Sequence, residues 1–200
     1  MSANETEIDL TSVKSHPWHG VDPRSGNEGI VVYIENTPLS MIKYEVDGTT
    51  GILKVDRPQD TSALPPAAYG FVPKSLCGAR VAQLNARLRG DKAALDIYVF
   101  SERPLDVPGV LAEVHVIGGI PVKDDSFVDD KLLAVLHRDA QYGNIRDVSE
   151  LPIFALDRVC HFLGCESLSG AAEVGDPFGR ERALVLLQAA LDDYETKYGR

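Results

Sequence analysis

Three short β-forming runs, IVVYIE at 30–35, MIKYEV at 41–46 and ILKV at 52–55, follow one another with turn signals between them. Three further runs of the same kind stand at 95–100, 111–117 and 131–136. Short strands at this spacing, without helical periods between them, are typical of antiparallel barrels. The pattern therefore predicts a small β-barrel rather than alternating strands and helices.

Two helices are predicted to close the chain. The first follows Asp147, has Pro152 near its first turn and repeats apolar residues every three or four positions. The second follows Asp176-Pro177, a cap with a first-turn proline, and ends at Gly199. Residues 1–29 predict an N-terminal arm, and residues 77–89, which lack strand alternation, predict a loop excursion. We expect one domain over residues 1–200.

Composition excludes several classes of protein. The 200 residues include 20 Lys and Arg against 30 Asp and Glu, a net charge of −10 without a segregated basic patch, which opposes a nucleic-acid partner. No apolar run approaches the length of a membrane span, so no membrane partner is expected. The first residues read as neither a secretory signal nor a transit peptide. Three cysteines without a CxxC motif predict reduced thiols in the cytoplasm.

Carboxylates at strand ends and in loops are the main candidates for chemistry, since no Walker A loop, GxGxxG, GxSxG or HExxH motif occurs. Two interpretations stay open for them. They form either a solvated acidic rim or a magnesium site, in which oxygen ligands hold cations that bridge to phosphates. His16 and His19 are three residues apart, but the intervening Pro17 and Trp18 favour a packed turn over a zinc site.

Several segments together resemble the soluble family I inorganic pyrophosphatases. They are HPWHG at 16–20, IE at 34–35, IKYEVD at 42–47, VDRP at 55–58, YGFVP at 69–73, the acidic stretch 124–131 and YGNIRDV at 142–148. The first of these, with KVDRPQ at 54–59, is most similar to chlamydial and plant-type members. The resemblance runs in order over residues 15–162, and it implies an α+β, mainly β fold: a five-stranded OB-like antiparallel barrel with two C-terminal helices.

The resemblance also implies hydrolysis of pyrophosphate to two phosphates with Mg²⁺ as the cofactor. The residues it matches to metal-binding carboxylates are Asp91, Asp96, Asp124, Asp129 and Glu35. Those it matches to cations around the substrate and the metal site are Lys43, Arg57 and Lys131, with Glu45 as a supporting acid. Tyr69 matches a catalytic hydroxyl beside the metal cluster. Family members assemble as oligomers, so we expect a homo-oligomer or a subunit of a complex.

The chain departs from the family pattern at several positions. The signature Asp-Gly-Asp-Pro-x-Asp reads DKAALD at 91–96, so Ala93 stands where an aspartate accepts the proton of metal-bound water, and Lys92 stands where the family has glycine. Pro65 replaces a tyrosine, and Glu166-Ser167 replace a phosphate-binding Tyr-Lys pair. The loss of a general base typically costs about 10²–10⁴ in rate, so we expect attenuated activity.

Three functional hypotheses follow. The first is a magnesium-dependent inorganic pyrophosphatase of reduced activity, supported by the matched carboxylates. The second is a catalytically inactive pyrophosphatase-like protein that serves as a binding or structural subunit of a larger assembly, supported by the substitutions. The third, an OB-type nucleic-acid binder, is opposed by the acidic charge balance.

Overall fold

The structure of the chain, a computed structural model, describes residues 16–24, 29–84, 89–124, 127–165 and 172–199. Its strands are β1 (Ile30–Asn36), β2 (Ile42–Val46), β3 (Leu53–Pro58), β4 (Ala68–Phe71), β5 (Arg89–Gly90), β6 (Asp96–Phe100), β7 (Val110–Ile120), β8 (Val122–Asp124), β9 (Phe127–Val128), β10 (Lys131–Leu136), β11 (Ala172–Val174) and β12 (Phe178–Gly179). Its helices are α1 (Ala79–Leu84), α2 (Ile153–Cys165) and α3 (Arg180–Tyr198), with a 3-10 helix at Val148–Glu150.

Five strands close a barrel in the order β1-β4-β6-β10-β7, and β7 returns to pair with β1. The predicted mainly β class and five-stranded barrel are confirmed. The prediction of an antiparallel barrel is wrong for one pair of barrel strands, because β10 and β6 run parallel. In the barrel, β10 lies between β6 and β7. These two strands run in opposite directions, so a strand between them must be parallel to one of the two, and β10 is parallel to β6.

The barrel wall is buried on both of its faces. Along β6, Ile97 and Val99 pack in one apolar cluster with α3, whereas Tyr98 and Phe100 pack in another with α2. Successive side chains of a strand point to opposite faces, so a strand covered on both faces has no polar alternation. The continuous apolar run IYVF at 97–100 is therefore explained by the two helices that cover it.

The last helix begins later than the sequence predicts. Asp176-Pro177 do not cap it, because Phe178 and Gly179 first pair with Gly119 and Gly118 of β7 as the short strand β12. The helix starts at Arg180, and the carboxylate of Asp147, from a distant loop, accepts the Arg180 N–H at 2.8 Å. Strand pairing thus overrides the local capping signal.

The predicted excursion at 77–89 is only partly a loop, because it contains α1, a helix that the sequence did not predict. Residues 85–88 fall outside the described part of the chain. The first N–H groups of α1, at Arg80 and Val81, donate to the buried carboxylate of Asp193 on α3. This cap comes from the far end of the sequence, so no local pattern predicts the helix.

Of the predicted arm at 1–29, residues 1–15 and 25–28 are likewise outside the described residues. No helix among those described is long and apolar enough to cross a bilayer.

Candidate active site

One cavity of about 260 Å³ lies between the barrel and the β2–β3 hairpin. Five of the residues predicted for the site line it: Glu35, Lys43, Glu45, Tyr69 and Asp96. They come from β1, the hairpin, β4 and the start of β6. The barrel order places β4 between β1 and β6, so side chains distant in sequence meet at one end of three neighbouring strands. Ala93 and Trp18 complete part of the wall.

Lys131 organises the charged centre of this site. Its Nζ donates to Asp96 Oδ2 and to Asp129 Oδ1, each at 2.5 Å, and the Tyr69 hydroxyl donates to Asp96 Oδ2 at 2.6 Å. The parallel register of β10 on β6, which pairs Leu132 with Ile97, brings Lys131 beside Asp96. Burial alone would lower the pKa of Lys131, but the two carboxylates outweigh it and hold that pKa well above its ordinary value.

Glu35 is a buried acid at the end of β1, with 7% of its surface exposed. Its Oε1 accepts the N–H of Val46 in β2 at 2.6 Å. Burial is the main cause that raises the pKa of Glu35 to about 8; the charges of Asp96 and Glu45 act in the same direction, and the Val46 hydrogen bond opposes them. In the absence of a cation, Glu35 therefore carries a proton at neutral pH.

This pKa predicts how the stability of the metal-free protein depends on pH. Because the pKa of Glu35 is higher in the folded chain, the folded state binds the extra proton, and the free energy of unfolding should fall as pH rises from about 5 to about 8. A tenfold difference in proton affinity between the folded and unfolded chain corresponds to about 1.4 kcal/mol, so the fall should reach a few kcal/mol. Urea unfolding in EDTA at pH 5, 6, 7 and 8 measures it.

Glu35→Gln is the matched variant, since glutamine has the same shape and can still accept the Val46 N–H. The variant should lose most of the pH dependence and retain the smaller contributions, of the same sign, from Asp129 and Asp91. A slope in Glu35→Gln equal to that of the native chain would contradict the assignment.

The signature loop at 91–96 is held by backbone hydrogen bonds to Cys77. The Cys77 N–H donates to the Ala93 carbonyl at 2.8 Å, and the Lys92 N–H donates to the Cys77 carbonyl at 3.0 Å. Lys92 adopts φ 67°, in the left-handed region that costs a non-glycine residue about 1–2 kcal/mol. The loop thus keeps a backbone conformation suited to glycine while carrying lysine.

The chemistry of the donor set fits a hard divalent cation. Burial and the charge of Asp96 raise the pKa of Asp91. The same two causes raise the pKa of Asp129 to about 6, against the lowering effect of Lys131. A cation bound between the oxygens of such carboxylates reduces their mutual repulsion and stabilises their ionised form. Within the described residues, no three His, Cys, Asp or Glu side chains form a ready cation site, and Lys131 lies between two of the carboxylates. Asp124 ends β8, and its side chain lies outside the described part of the chain.

The β2–β3 hairpin carries the predicted substrate cations. Lys43 and Arg57 are paired across its two strands. Both contact Asp56 Oδ2, which lies 3.8 Å from Lys43 Nζ and 2.9 Å from Arg57 Nη1. The buried side chain of Asn36 fixes the hairpin to β1, because its amide bonds both the N–H and the carbonyl of Tyr44 at 2.8 Å. Lys43 lines the cavity, whereas Arg57 is not among the lining residues and lies behind it on β3.

The sequence interpretation assigned no role in the site to Trp18 or to Asn36. The packed turn predicted at HPWHG is confirmed, since the Gly20 N–H donates to the His16 carbonyl at 2.6 Å, but Trp18 also lines the cavity. A motif interpreted from the sequence as a packed turn therefore also has a place in the site. Asn36 follows directly after Glu35, and nothing local marks it. Glu166 and Ser167 lie outside the described residues.

Comparisons with known proteins agree with this geometry. The sequence profile of the family described as inorganic pyrophosphatase matches residues 32–195. The chain is 38% identical over 196 residues to the inorganic pyrophosphatase of Chlamydia trachomatis, across 90% of this chain and 94% of that one. It is 33% identical over 192 residues to a soluble inorganic pyrophosphatase of Arabidopsis thaliana, across 94% and 84%. The crystal structure of inorganic pyrophosphatase from Thermus thermophilus matches with a TM-score of 0.77 at 26% identity, across 90% of this chain and 99% of that one.

The matched region includes the barrel from Val32 onward, the hairpin, α2 and most of α3, and with them all the residues that line the cavity except Trp18. The similarity to a chlamydial and a plant protein agrees with the subtype that HPWHG and KVDRPQ indicate. By sequence profile, by identity to relatives and by fold, the chain belongs to the soluble family I inorganic pyrophosphatases.

Proposed function

We propose that this chain hydrolyses pyrophosphate to two phosphates with magnesium as its cofactor, more slowly than relatives that keep the full signature. The observation that carries the proposal is the hydrogen-bonded cluster of Tyr69, Asp96, Asp129 and Lys131 beside a cavity that Lys43 also lines. A highly charged phosphate substrate needs this combination of carboxylates for cations and ammonium groups for its oxygens.

The roles of the side chains follow from their partners. The residues that would hold magnesium are Asp91, Asp96, Asp124, Asp129 and Glu35. Magnesium held there would supply positive charge to offset that of pyrophosphate and would lower the pKa of a water ligand. Tyr69 and Lys131 each donate to Asp96, so both orient that carboxylate. Lys43 faces the phosphate side of the cavity, with Glu45 beside it and Arg57 supporting the hairpin from β3.

Ala93 is the reason to expect a reduced rate. It lines the cavity together with Asp96, and its methyl group can neither accept a proton nor bind a cation. The proton released by the attacking water must then pass to solvent or to a carboxylate that is less well placed. The alternative hypothesis, a catalytically inactive protein that acts as a binding or structural subunit of a larger assembly, would rest on this substitution and has no support from the comparisons.

Phosphate release from pyrophosphate tests the proposal. We expect turnover in magnesium that EDTA abolishes and that Asp96→Asn lowers at least about 100-fold, because the amide neither attracts a cation nor pairs with Lys131. Asp106→Asn, at an exposed loop position, is the matched control and should match the native rate. Magnesium-dependent release no greater in the native chain than in Asp96→Asn would contradict hydrolysis and favour the binding role.

We further propose a homo-oligomer in the cytoplasm. The cysteines are free, with Cys77 buried and Cys160 and Cys165 partly exposed, which fits a reducing compartment. Ile153 and Phe154, at the start of α2, are 60% and 74% exposed and fit a surface covered on assembly.

A further inference from the structure

The HPWHG segment at 16–20 is a rigid turn whose ring nitrogens are already engaged. His16 Nδ1 accepts the N–H of Trp18 at 3.2 Å and that of His19 at 3.4 Å. His19 Nδ1 shares a hydrogen bond of 2.7 Å with the Tyr194 hydroxyl. These bonds leave the two histidines poorly suited to hold a metal ion and well suited to fix the turn.

One side of this turn is anchored to the body of the protein. The Trp18 indole N–H donates to the Ser75 carbonyl at 2.8 Å, and the Lys74 N–H donates to the Trp18 carbonyl at the same distance. The Trp18 ring stacks on His19 with centroids 4.7 Å apart. Through His19 and Tyr194 the turn is joined to α3.

The other side of the turn meets the tip of the β2–β3 hairpin. His16 Nε2 lies 3.2 Å from the Gly48 carbonyl oxygen, within hydrogen-bond distance. The His16 ring also fills the space beside Gly51, where a Cβ would come within 2.9 Å of the ring, and Gly51 has φ 73°. The Trp18 ring lies 3.8 Å from the Cβ position of Gly48.

The hairpin needs this second attachment. It is a separate two-stranded sheet that Glu35 and Asn36 tie to β1 at Val46 and Tyr44. An isolated two-stranded hairpin is only marginally stable in water, so an unsupported tip would move and carry Lys43 away from the cavity.

We propose that Trp18 is a positioning residue of the active site, which forms part of the cavity wall and, with His16, holds the hairpin so that Lys43 and Glu45 face the substrate phosphates. The inference rests on the proposed function, because it concerns the same cavity. The inference gives the segment at 16–20, which precedes the barrel, a role in that function. The uncharged side chain of Trp18 would keep the charged side chain of Lys43 in place.

Trp18 is the only tryptophan of the chain, so its fluorescence reports on the site directly. We expect the emission of the native chain to change and saturate when inorganic phosphate is titrated in the presence of magnesium. An emission spectrum unchanged by phosphate and by pyrophosphate would overturn the inference. If hydrolysis is present while the emission is unchanged, the proposed function stands and only this inference fails.

Variants separate positioning from general stability. Trp18→Phe removes the indole N–H and part of the wall, and it should raise KM for magnesium pyrophosphate about tenfold while kcat stays within about threefold. Tyr194→Phe breaks the link to His19 on the side away from the cavity; it should lower Tm and leave KM unchanged. Equal Tm losses with KM unchanged in both variants would overturn the inference, since Trp18 would then be merely structural.

His16→Ala keeps the fluorescent residue and tests the hairpin directly. Its Kd for phosphate in magnesium, read from Trp18 emission, should rise about tenfold over that of the native chain. This comparison needs no turnover, so it decides the inference even if the chain proves inactive. A Kd equal to the native value would overturn it.

Discussion

Pyrophosphate hydrolysis should rise at least about tenfold when Ala93 is replaced by aspartate and Lys92 by glycine in the same chain. Ala93 lines the cavity with Asp96, so a carboxylate at this position can accept the proton of the attacking water. Glycine at 92 suits the φ of 67° and removes an ammonium that repels cations from the neighbouring carboxylates. Initial rates of magnesium-dependent phosphate release, native against double variant, measure the gain.

The single variants and one neighbouring position control this experiment. Ala93→Asp alone should give most of the gain, whereas Lys92→Gly alone should act mainly through magnesium affinity and stability. Ala94→Asp introduces the same charge one residue away and should give no comparable increase. A double variant that binds magnesium and stays at the native rate would place the lesion in the phosphate-binding part of the site, where Glu166 and Ser167 are the next positions to revert.

Lys131→Met should cost about 3–5 kcal/mol of unfolding free energy in EDTA at pH 8, because it leaves Asp96 and Asp129 without their buried counter-charge. The loss should shrink toward pH 5, where Asp129, with its pKa raised to about 6, takes up a proton. Magnesium should restore part of the stability, since it supplies positive charge to the same carboxylates. Urea unfolding with EDTA and with magnesium measures all three effects.

Lys123→Met is the matched control for this substitution. Lys123 forms an ion pair with Glu173 at 2.9 Å, but both side chains are largely exposed, so its loss should cost less than about 1 kcal/mol. If Lys131→Met costs no more than Lys123→Met in EDTA, the central role of the buried ammonium is wrong.

The sequence predicted the strands that carry strong β-forming runs and missed those that depend on distant partners. The run at 131–136 corresponds to β10 with the same bounds, and 30–35 differs from β1 by one residue. β4 was missed because AYGF is short and contains a glycine, and β12 because its partner is β7. Local patterns contain no information about which strand lies beside which, so the parallel pairing was missed as well.

For the site, the motif spacing identified side chains that the fold brings to one cavity, such as Glu35 and Asp96. It could not show their electrostatics. Glu35 appears in the sequence as an ordinary acid at the end of a predicted strand. Its burial beneath the hairpin, which no local pattern reveals, is the main cause that raises its pKa to about 8. Trp18 was missed for a similar reason, because an apolar residue becomes part of a phosphate site only through the turn that folds it there.

The parallel pairing of β6 with β10 also bears on how the chain folds. Asp96 and Lys131 are 35 residues apart, and they meet only after β10 has entered between β6 and β7. Pairings of this kind require closure of a long loop and form slowly compared with local hairpins. Until that step the carboxylates of the nascent site remain hydrated and apart. We therefore expect their desolvation and their neutralisation by Lys131 to coincide with closure of the barrel, so that the charged centre forms late in folding.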